Sequence, residues 1–460
     1  MRGKTVSRRV MMLFFSNAIL SAMGFAYRVA LTREAGAAAL GLNSLVMQIY
    51  GMVVSVCISG LNVAVSALAA RSRRDETGVL LRSALIVYSG LWVSAAVPVM
   101  LFRVRLCASV LGDEKLEQTL VLMLFCIFMT GLENVLKSVH FGTGNVGRCA
   151  ASELTEQAVR FVLVIILLRN VFRPDDSRTV FLITLGMTLS EFVSVSFLSV
   201  SYLSIFGFAK GGTKKLCLQS IARTAFPATL TSAASTAFAS VASLVLPSSL
   251  EAFGMDRASA LAEIGIMNTA AVPLTMLPMT FVGAAAAVIM PEISLAVSRN
   301  ESPIPFIKQT LFSTALVGGV SFILLAVFGE SISKALFRNS QDNTVFILLS
   351  VKALIIYFQV VSVAVLNGMM KQKTVLLFAV AGEAYQLLLI LLLAPVLGMI
   401  GYAAGMIIGE LARLALNLTA VSVYANNSGF YGRDMLKSGK KTIARGVYGK
   451  KGKAGVSVRL

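Results

Sequence analysis

Long apolar runs, separated by short polar or charged segments, recur along almost the whole chain. Clear examples are 10–31, 120–136, 306–328 and 374–395. About twenty residues of α-helix, each rising roughly 1.5 Å, cross the roughly 30 Å hydrocarbon core of a bilayer. The pattern therefore predicts an all-α polytopic membrane protein.

The hydropathy pattern predicts about twelve transmembrane helices, which makes the two ends of the chain share one side of the membrane. The predicted spans lie near 10–31, 38–69, 78–101, 118–140, 152–170, 179–207, 218–246, 263–291, 306–328, 343–370, 373–396 and 399–424. The termini and the even-numbered connections carry about 26 Lys and Arg, against about 10 on the opposite side. Because short cytoplasmic loops retain cations, this bias predicts a plasma-membrane protein with both termini in the cytoplasm.

Composition supports this interpretation, since 57% of the 460 residues are apolar and only 14% are charged. Soluble domains are about half apolar and about a quarter charged. The formal net charge of +19 resides mainly in short loops and in the last segment, so it does not indicate a nucleic-acid-binding face. The five cysteines are scattered without metal-ligand spacing, and we interpret them as small apolar residues.

A weak internal repeat predicts the domain organisation. Span two contains Gly41-Leu-Asn43 and then Gly60-Leu-Asn, and span eight contains Gly265-Ile-Met-Asn268 and then Gly283. Two parallel six-helix lobes around a central cavity would explain the repeat. The predicted lobes are 1–208 and 218–425, joined by a cytoplasmic linker at 209–217 and followed by a basic, disordered tail at 426–460.

No set of residues indicates catalysis, a metal site or a cofactor. The only Gly-Lys-Thr sequence, Gly3 to Thr5, lacks the upstream glycine of a nucleotide-binding loop. The single histidine, His140, has no second histidine with which to share a metal, and we interpret it as an ordinary interfacial side chain. We therefore expect a protein that is not an enzyme.

Ionisable residues inside the spans are the informative ones, because each costs about 2.5–3.5 kcal/mol on insertion scales and so tends to face a partner or a cavity. Several have an opposite charge within two helical turns: Glu133 with Lys137, Glu153 and Glu156 with Arg160, and Glu410 with Arg413. These groups either neutralise one another or form a site. Others have no partner within one turn of their own helix, namely Arg28, Glu191, Lys352 and Glu383. For Arg28 and Lys352, snorkelling to the interface is the alternative.

Several segments, in this order, resemble the stage V sporulation protein B group of the multidrug/oligosaccharidyl-lipid/polysaccharide exporter superfamily. The segments are Tyr27-Arg28-Val29-Ala30, Gly41 to Tyr50, Ser59 to Ser66, Glu156-Gln-Ala-Val-Arg160 and Leu366 to Lys371. The resemblance extends over most of the chain, to about residue 425. Superfamily members include polysaccharide flippases and the lipid II flippase.

The resemblance implies two six-helix lobes, alternating access and an undecaprenyl-pyrophosphate-linked saccharide as cargo. Arg28 matches the arginine of the group's first helix, and Glu156 with Arg160 matches its span-five pair. Two departures argue against lipid II itself. The hydropathy pattern predicts twelve spans, without the two additional helices of fourteen-helix members, and Asn43 stands where a tyrosine is common.

Our hypothesis is a flippase of a lipid-linked cell-envelope saccharide, with the saccharide and membrane lipids as partners. Its candidate substrate-binding residues are Arg28, Asn43, Gln48, Glu156, Arg160 and Lys352. The first alternative is an H⁺- or Na⁺-coupled multidrug exporter, with Glu191 and Glu383 as ion-coupling residues. The second alternative is a non-transporting scaffold for envelope or spore assembly. A flippase should depend on cations in the cavity, a drug exporter on carboxylates, and a scaffold on neither.

Overall fold

The computed structural model describes the backbone of residues 2–70, 72, 76–170, 175–207, 218–299, 301–337 and 343–448. Within these ranges it describes the side chains from 19 to 425, apart from a few positions between 227 and 337. All regular secondary structure in the described ranges is helical. The predicted all-α fold is therefore confirmed.

The first ten predicted spans each overlap one helix or consecutive helices, and the last two lie together in one helix. In chain order the helices are α1 (Arg2–Ala35), α2 (Ala37–Cys57), α3 (Ser59–Ala69), α4 (Thr77–Leu101), α5 (Glu117–Gly142), α6 (Val146–Asn170), α7 (Asp176–Phe206), α8 (Leu218–Phe253), α9 (Arg257–Ile266), α10 (Met279–Ser298), α11 (Ile304–Phe337), α12 (Asn343–Gly368) and α13 (Gln372–Tyr448). Short helical turns at Arg103–Arg105, Leu106–Leu111, Glu114–Leu116, Met267–Ala271 and Val272–Met276 complete the series.

The two spans that carry the sequence repeat are both interrupted. Ile58 separates α2 from α3. A π-helical turn, Met267–Ala271, separates α9 from the short helix that contains Pro273. Proline has no backbone N–H to donate, and π-turns inside helices frequently accompany functional sites. Both interruptions lie inside spans that the hydropathy pattern predicts as continuous.

Helix α13 contains a break at Gly398, whose φ of 61° and ψ of −139° are not helical. The left-handed φ suits glycine, and a Cβ at this position would lie 2.9 Å from the ring of Phe253. The break falls between the predicted spans 373–396 and 399–424, so the turn that separates them is supplied by a glycine.

Eight of the described helical segments are long and apolar enough to cross a membrane. They are Ala37–Ala69, Thr77–Leu101, Glu114–Gly142, Asp176–Phe206, Ser232–Phe253, Ile304–Leu336, Asn343–Gly368 and Gln372–Ala425. A multi-pass membrane protein is therefore confirmed. The count of twelve spans, the cytoplasmic termini and the two-lobe arrangement stay predictions.

The first of two compact units comprises Met1–Leu277, Phe322–Ala353 and Ala379–Gly409. Its largest apolar core lies among α2, α3, α4 and α5 and includes the fully buried Tyr88. The Tyr88 hydroxyl donates to the Ile127 carbonyl at 2.6 Å, and Trp92 Nε1 donates to Leu124 O at 3.0 Å. Two aromatic side chains of α4 thus pack on α5 with their polar atoms satisfied.

The second compact unit comprises Pro278–Ser321, Leu354–Phe378 and Glu410–Leu460. A cation–π contact joins the residue before α13 to the later part of that helix. The Lys371 ammonium lies 4.3 Å from the centre of the Tyr424 ring. The predicted Glu410–Arg413 pair forms, with Nη2 of Arg413 2.6 Å from Oε1 and 2.5 Å from Oε2 of Glu410.

Some predicted features lie outside the described residues. The linker at 209–217 is one, and Cys217 falls within it; the other four cysteines are buried and free. The predicted tail, 426–460, carries no described side chains, and its disorder stays a prediction. The lobe boundaries 1–208 and 218–425 also stay predictions.

Candidate functional site

A cavity of about 380 Å³ lies inside the first unit and contains four of the predicted substrate-binding residues, Arg28, Asn43, Gln48 and Arg160. Its walls come from α1, α2, α6, α7 and the π-helical turn after α9. Residues far apart in the sequence thus meet in one pocket that also has charged and amide side chains, and we call it the central cavity because it lies among these helices.

Arg28 contributes a cation from α1 to the central cavity. Its backbone carbonyl accepts a hydrogen bond from the Thr32 hydroxyl at 2.8 Å, a bond within one helical turn. Among the residues that the structure describes, no carboxylate lies within ion-pairing distance of its guanidinium. The Arg28 donors are therefore available to a ligand in the cavity.

Asn43 and Gln48 contribute side-chain amides from α2. The Asn43 Oδ1 atom is buried and has no hydrogen-bond partner among the described residues. Gln48 Oε1 accepts a bond of 3.3 Å from the hydroxyl of Ser240, which is itself buried. A buried acceptor without a partner costs about 1–3 kcal/mol, and a ligand hydroxyl or a water could satisfy it.

Arg160 lines the central cavity from α6, and its guanidinium also bonds side chains of α6 and α7. Its Nε donates to Ser190 Oγ at 3.2 Å, and its Nη2 lies 3.1 Å from Oε1 of Glu191. The same Nη2 also contacts Glu156, four residues earlier on α6. Glu191 thus has a partner on a neighbouring helix, although it has none within one turn of its own helix.

A buried charge network extends from Arg160 into the bundle of α5, α6 and α7. Lys137 Nζ lies 2.8 Å from Glu133, 3.3 Å from Glu153 and 3.8 Å from Glu156. The Ser194 hydroxyl donates to Glu133, so α7 joins the network here as well. Candidate pairs recognised by sequence spacing therefore belong to one network across three helices.

The network contains more carboxylates than cations. Among the described residues, the ion-pair partners of its four carboxylates are Lys137 and Arg160, which leaves a formal charge of −2 if all are ionised. The four carboxylates are those of Glu133, Glu153, Glu156 and Glu191. Oxygens of Glu133, Glu156 and Glu191 lie within 4.8 Å of one another, and Glu191 Oε2 has no hydrogen-bond partner in the part of the chain that the structure describes. Buried like charges at this separation favour uptake of a proton or a small cation. The three carboxylates could hold either.

The remaining predicted site residues lie elsewhere in the first unit. Lys352 of α12 donates from Nζ to the Met406 sulfur at 2.9 Å, and the described lining of the central cavity includes neither Lys352 nor Glu383. His140, expected at the interface, is fully buried. Its Nδ1 donates to Leu136 O at 2.9 Å, and its Nε2 accepts from Ser201 at 3.0 Å.

Part of the cavity wall and of the network comes from residues that the sequence patterns did not single out. Asn268 and Thr269 line the cavity from the π-helical turn, and Ser190 and Ser194 bond the charged groups. Asn268 belongs to the repeated motif that also contains Asn43, so the repeat itself is a signal that could have found it. The serines gave no signal, because serine is common in transmembrane helices.

The amino-acid sequence is similar to that of a bacterial sporulation protein. No family model matches the chain. It is 24% identical over 444 residues to stage V sporulation protein B of Bacillus subtilis (strain 168), an alignment that covers 92% of this chain and 84% of that protein. The resemblance to the stage V sporulation protein B group that the sequence motifs indicate is therefore confirmed.

Solved structures show the fold. An inward-facing MATE family multidrug resistance transporter of the MOP superfamily superposes with a TM-score of 0.71 at 16% identity, over 89% of this chain and 96% of that one. The lipid II flippase MurJ in an inward closed conformation gives 0.70 at 14% identity, over 96% and 94%. This protein has the MOP superfamily fold.

The MOP fold does not by itself decide the cargo, since the same superfamily contains transporters with different cargoes. A MOP superfamily transporter of Pyrococcus furiosus, with a TM-score of 0.63 at 15% identity over 92% of this chain and 96% of that one, is described as having a binding pocket of reverse polarity that suggests a different function. Polarity of the central cavity is therefore the property on which a functional argument can rest.

Proposed function

We propose that this MOP-fold protein is a flippase or exporter of a lipid-linked cell-envelope saccharide, of the undecaprenyl-pyrophosphate type, and that it works by alternating access. The observation that carries the proposal is the charge of the central cavity. Its described lining contains two arginines, Arg28 and Arg160, and no carboxylate. A cavity of this polarity favours an anionic ligand over a cationic drug.

The physical reason lies in the cost of desolvating a pyrophosphate. Moving such an anion out of water requires charged donors that replace its hydration shell. Arginine provides them in a planar fork that can donate two parallel hydrogen bonds to phosphate oxygens. Arg28 has no competing carboxylate among the described residues, whereas the charge of Arg160 is partly compensated by Glu156 and Glu191. Arg28 is therefore the principal headgroup ligand in this proposal.

The neutral polar groups of the cavity suit a saccharide. Donors and acceptors for sugar hydroxyls come from Asn43, Gln48, Asn268 and Thr269. Among the described residues, Asn43 Oδ1 has no hydrogen-bond partner. A volume of about 380 Å³ is at the low end of the range of roughly 300–1,000 Å³ for ligand pockets. It fits a pyrophosphate with a short saccharide, so the polyprenyl chain stays in the bilayer.

A second candidate, the H⁺- or Na⁺-coupled multidrug exporter, is favoured by one observation. Glu133, Glu156 and Glu191 place carboxylate oxygens within 4.8 Å of one another behind Arg160. Such a cluster can take up a coupling ion. The same cluster can also couple an ion gradient to saccharide export, so it does not by itself separate the two candidates.

The test is headgroup translocation in reconstituted vesicles with matched protein levels. Arg28→Ala should slow flipping of a polyprenyl-pyrophosphate saccharide by about tenfold or more, because a charge-assisted bond contributes about 1.5–3 kcal/mol. Arg28→Lys should have an intermediate effect, since a point charge does not reproduce the fork. Arg178→Ala, at an exposed position outside the cavity, is the matched control.

Two outcomes would change the conclusion. Undiminished flipping by Arg28→Ala, together with loss of transport in Glu383→Gln, would favour the cation-coupled exporter. Absence of transport by the wild-type protein, with every variant correctly inserted, would favour the scaffold.

A further inference from the structure

A second cavity of the first unit, about 550 Å³, lies on α7 beside the start of α6. Its lining includes Arg148 of α6 and a row of α7 residues from Val193 to Ser204, and we call it the α7 groove. None of these residues lines the central cavity. We propose that the α7 groove binds an anionic glycerophospholipid, with the phosphate on Arg148 and one acyl chain along α7.

The length of the α7 groove matches one leaflet of a bilayer. Val193 and Ser204 are eleven residues apart, and at roughly 1.5 Å per residue the helix between them spans about 17 Å. Half of a hydrocarbon core of roughly 30 Å is about 15 Å. One acyl chain of a phospholipid therefore extends along the groove from its charged end to the middle of the membrane.

The wall of the α7 groove is apolar toward the bilayer. Val200 is 68% exposed and Phe197 is 38% exposed, although both belong to a membrane-spanning helix. Exposed side chains of a span face either lipid or a water-filled cavity, and these do not belong to the described lining of the central cavity. Together with Val193 they form a concave surface. A chain of methylene groups fits such a surface better than a polar ligand does.

Arg148 supplies the charge at the other end of the groove. Its Nη1 donates to Ser201 O at 2.9 Å, to Ser201 Oγ at 3.1 Å and to Ser204 Oγ at 2.7 Å. These bonds hold the guanidinium against the C-terminal turn of α7, where the carbonyl ends of the helix favour a cation. In the part of the chain that the structure describes, Nε and Nη2 have no acceptor.

The unoccupied edge of Arg148 has the geometry that phosphate needs. Nε and Nη2 lie along one edge of the planar guanidinium, so their N–H bonds run nearly parallel and can meet two oxygens of one phosphate. The serine that holds the opposite side is itself fixed, because the Ser201 hydroxyl donates to the buried His140. No carboxylate belongs to the described lining of the groove to compete for the arginine.

The predicted position of the Arg148 end of the groove, on the cytoplasmic side of the membrane, agrees with an anionic lipid. The count of Lys and Arg predicts that the connection preceding Arg148 is cytoplasmic, and the cytoplasmic leaflet is the one that carries anionic lipids. A polyprenyl chain long enough to reach the opposite leaflet would extend beyond the groove. We therefore assign the groove to a phospholipid rather than to the tail of the transported molecule.

The experiment measures lipid binding by native mass spectrometry of the full-length protein in detergent. Phosphatidylglycerol and phosphatidylcholine with identical acyl chains are the probes. The wild-type protein should bind phosphatidylglycerol about tenfold more tightly, because only its headgroup leaves a net negative charge to pair with the arginine. Arg148→Gln, which keeps a donor toward Ser201 and Ser204, should remove this preference.

Two further variants make the result specific. Val200→Trp should fill the groove and weaken binding of both lipids. Arg223→Gln removes an exposed cation of α8 outside the groove and should change neither. Melting temperatures without added lipid establish that each variant is folded, and Val200→Trp serves as the test if Arg148→Gln is not. An unchanged preference in Arg148→Gln, or unchanged lipid binding in Val200→Trp, would overturn the proposal, as would displacement of phosphatidylglycerol by an equal concentration of polyprenyl phosphate.

Discussion

Gly41 of α2 and Gly265 of α9 pack against each other's helices with no space for a side chain. A Cβ on Gly41 would lie 1.9 Å from the Leu261 carbonyl oxygen, and a Cβ on Gly265 would lie 2.1 Å from the Ala37 carbonyl oxygen. The two glycines occupy equivalent positions in the sequence repeat. The repeat thus coincides with a backbone crossing of the small-residue type that membrane helices use to approach closely.

This crossing gives the first prediction, which concerns stability. Gly41→Ala and Gly265→Ala should each lower the free energy of unfolding by about 1–3 kcal/mol, because the added methyl meets backbone atoms that cannot rotate away. Gly51→Ala is the control on the same helix, since a Cβ there meets nothing within 4 Å. Thermal unfolding in detergent should show lower melting temperatures for the first two variants and no loss for the control. Equal melting temperatures for all three would contradict the described packing.

The second prediction uses two Glu–Lys pairs with the same i, i+4 spacing and different environments. The Lys137 side chain, paired with Glu133, is 12% exposed, whereas the Lys334 side chain, paired with Glu330, is 61% exposed. Lys137→Gln removes the ammonium that pairs with the buried Glu133 and should destabilise the protein by about 3–5 kcal/mol. Lys334→Gln should cost no more than about 1 kcal/mol.

A double variant tests the cause of this difference. Glu133→Gln should restore part of the stability lost in Lys137→Gln, because it removes one of the uncompensated charges. The unfolding midpoints of Lys137→Gln, Lys334→Gln and the double variant are compared in detergent. If Lys137→Gln proved as mild as Lys334→Gln, the buried network would not be ionised as we describe it.

Sequence patterns identified most of the elements that build the central cavity. Hydropathy places Arg28, Asn43 and Gln48 inside spans, and the cost of a charge in the membrane selects Arg28 and Arg160 as residues that face a partner or a cavity. The structure places all four in one cavity. Intrahelical spacing also anticipates the Glu156–Arg160 contact, since residues four apart share a helix face.

Contacts between helices could not be predicted in the same way. The Arg160–Glu191 pair depends on the register of α6 against α7, which one sequence does not encode in any spacing. The bond from Lys352 to Met406 likewise joins α12 to α13, and it takes Lys352 away from the described cavity wall. The break at Ile58 lies in an apolar run without proline, so hydropathy gives no sign of it.

The last prediction concerns topology. Contacts between helix ends indicate which connections lie on the same side of the membrane. Each connection takes the number of the predicted span that it follows. Odd-numbered connections, or the helix ends beside them, contact one another, and so do even-numbered ones. Odd-side contacts are Arg169 with Glu34 at 2.6 Å, Lys115 with Asp175 at 3.0 Å and Arg257 with Leu111 O at 2.8 Å, and the even-side contact is Arg148 with Ser204 at 2.7 Å. This grouping is the one that the predicted span order requires.

Reporter fusions can assign the two sides. Because the even-numbered connections and the termini carry most of the lysines and arginines, we expect the even side to be cytoplasmic. Alkaline phosphatase should be active when fused after Gly112, in an odd connection, and inactive after Gly207 or Tyr424. A fluorescent protein that matures only in the cytoplasm should give the complementary result at each site. Phosphatase activity after Tyr424 with none after Gly112 would invert the orientation, and activity at both Gly112 and Tyr424 would mean that the span count between them is even rather than odd.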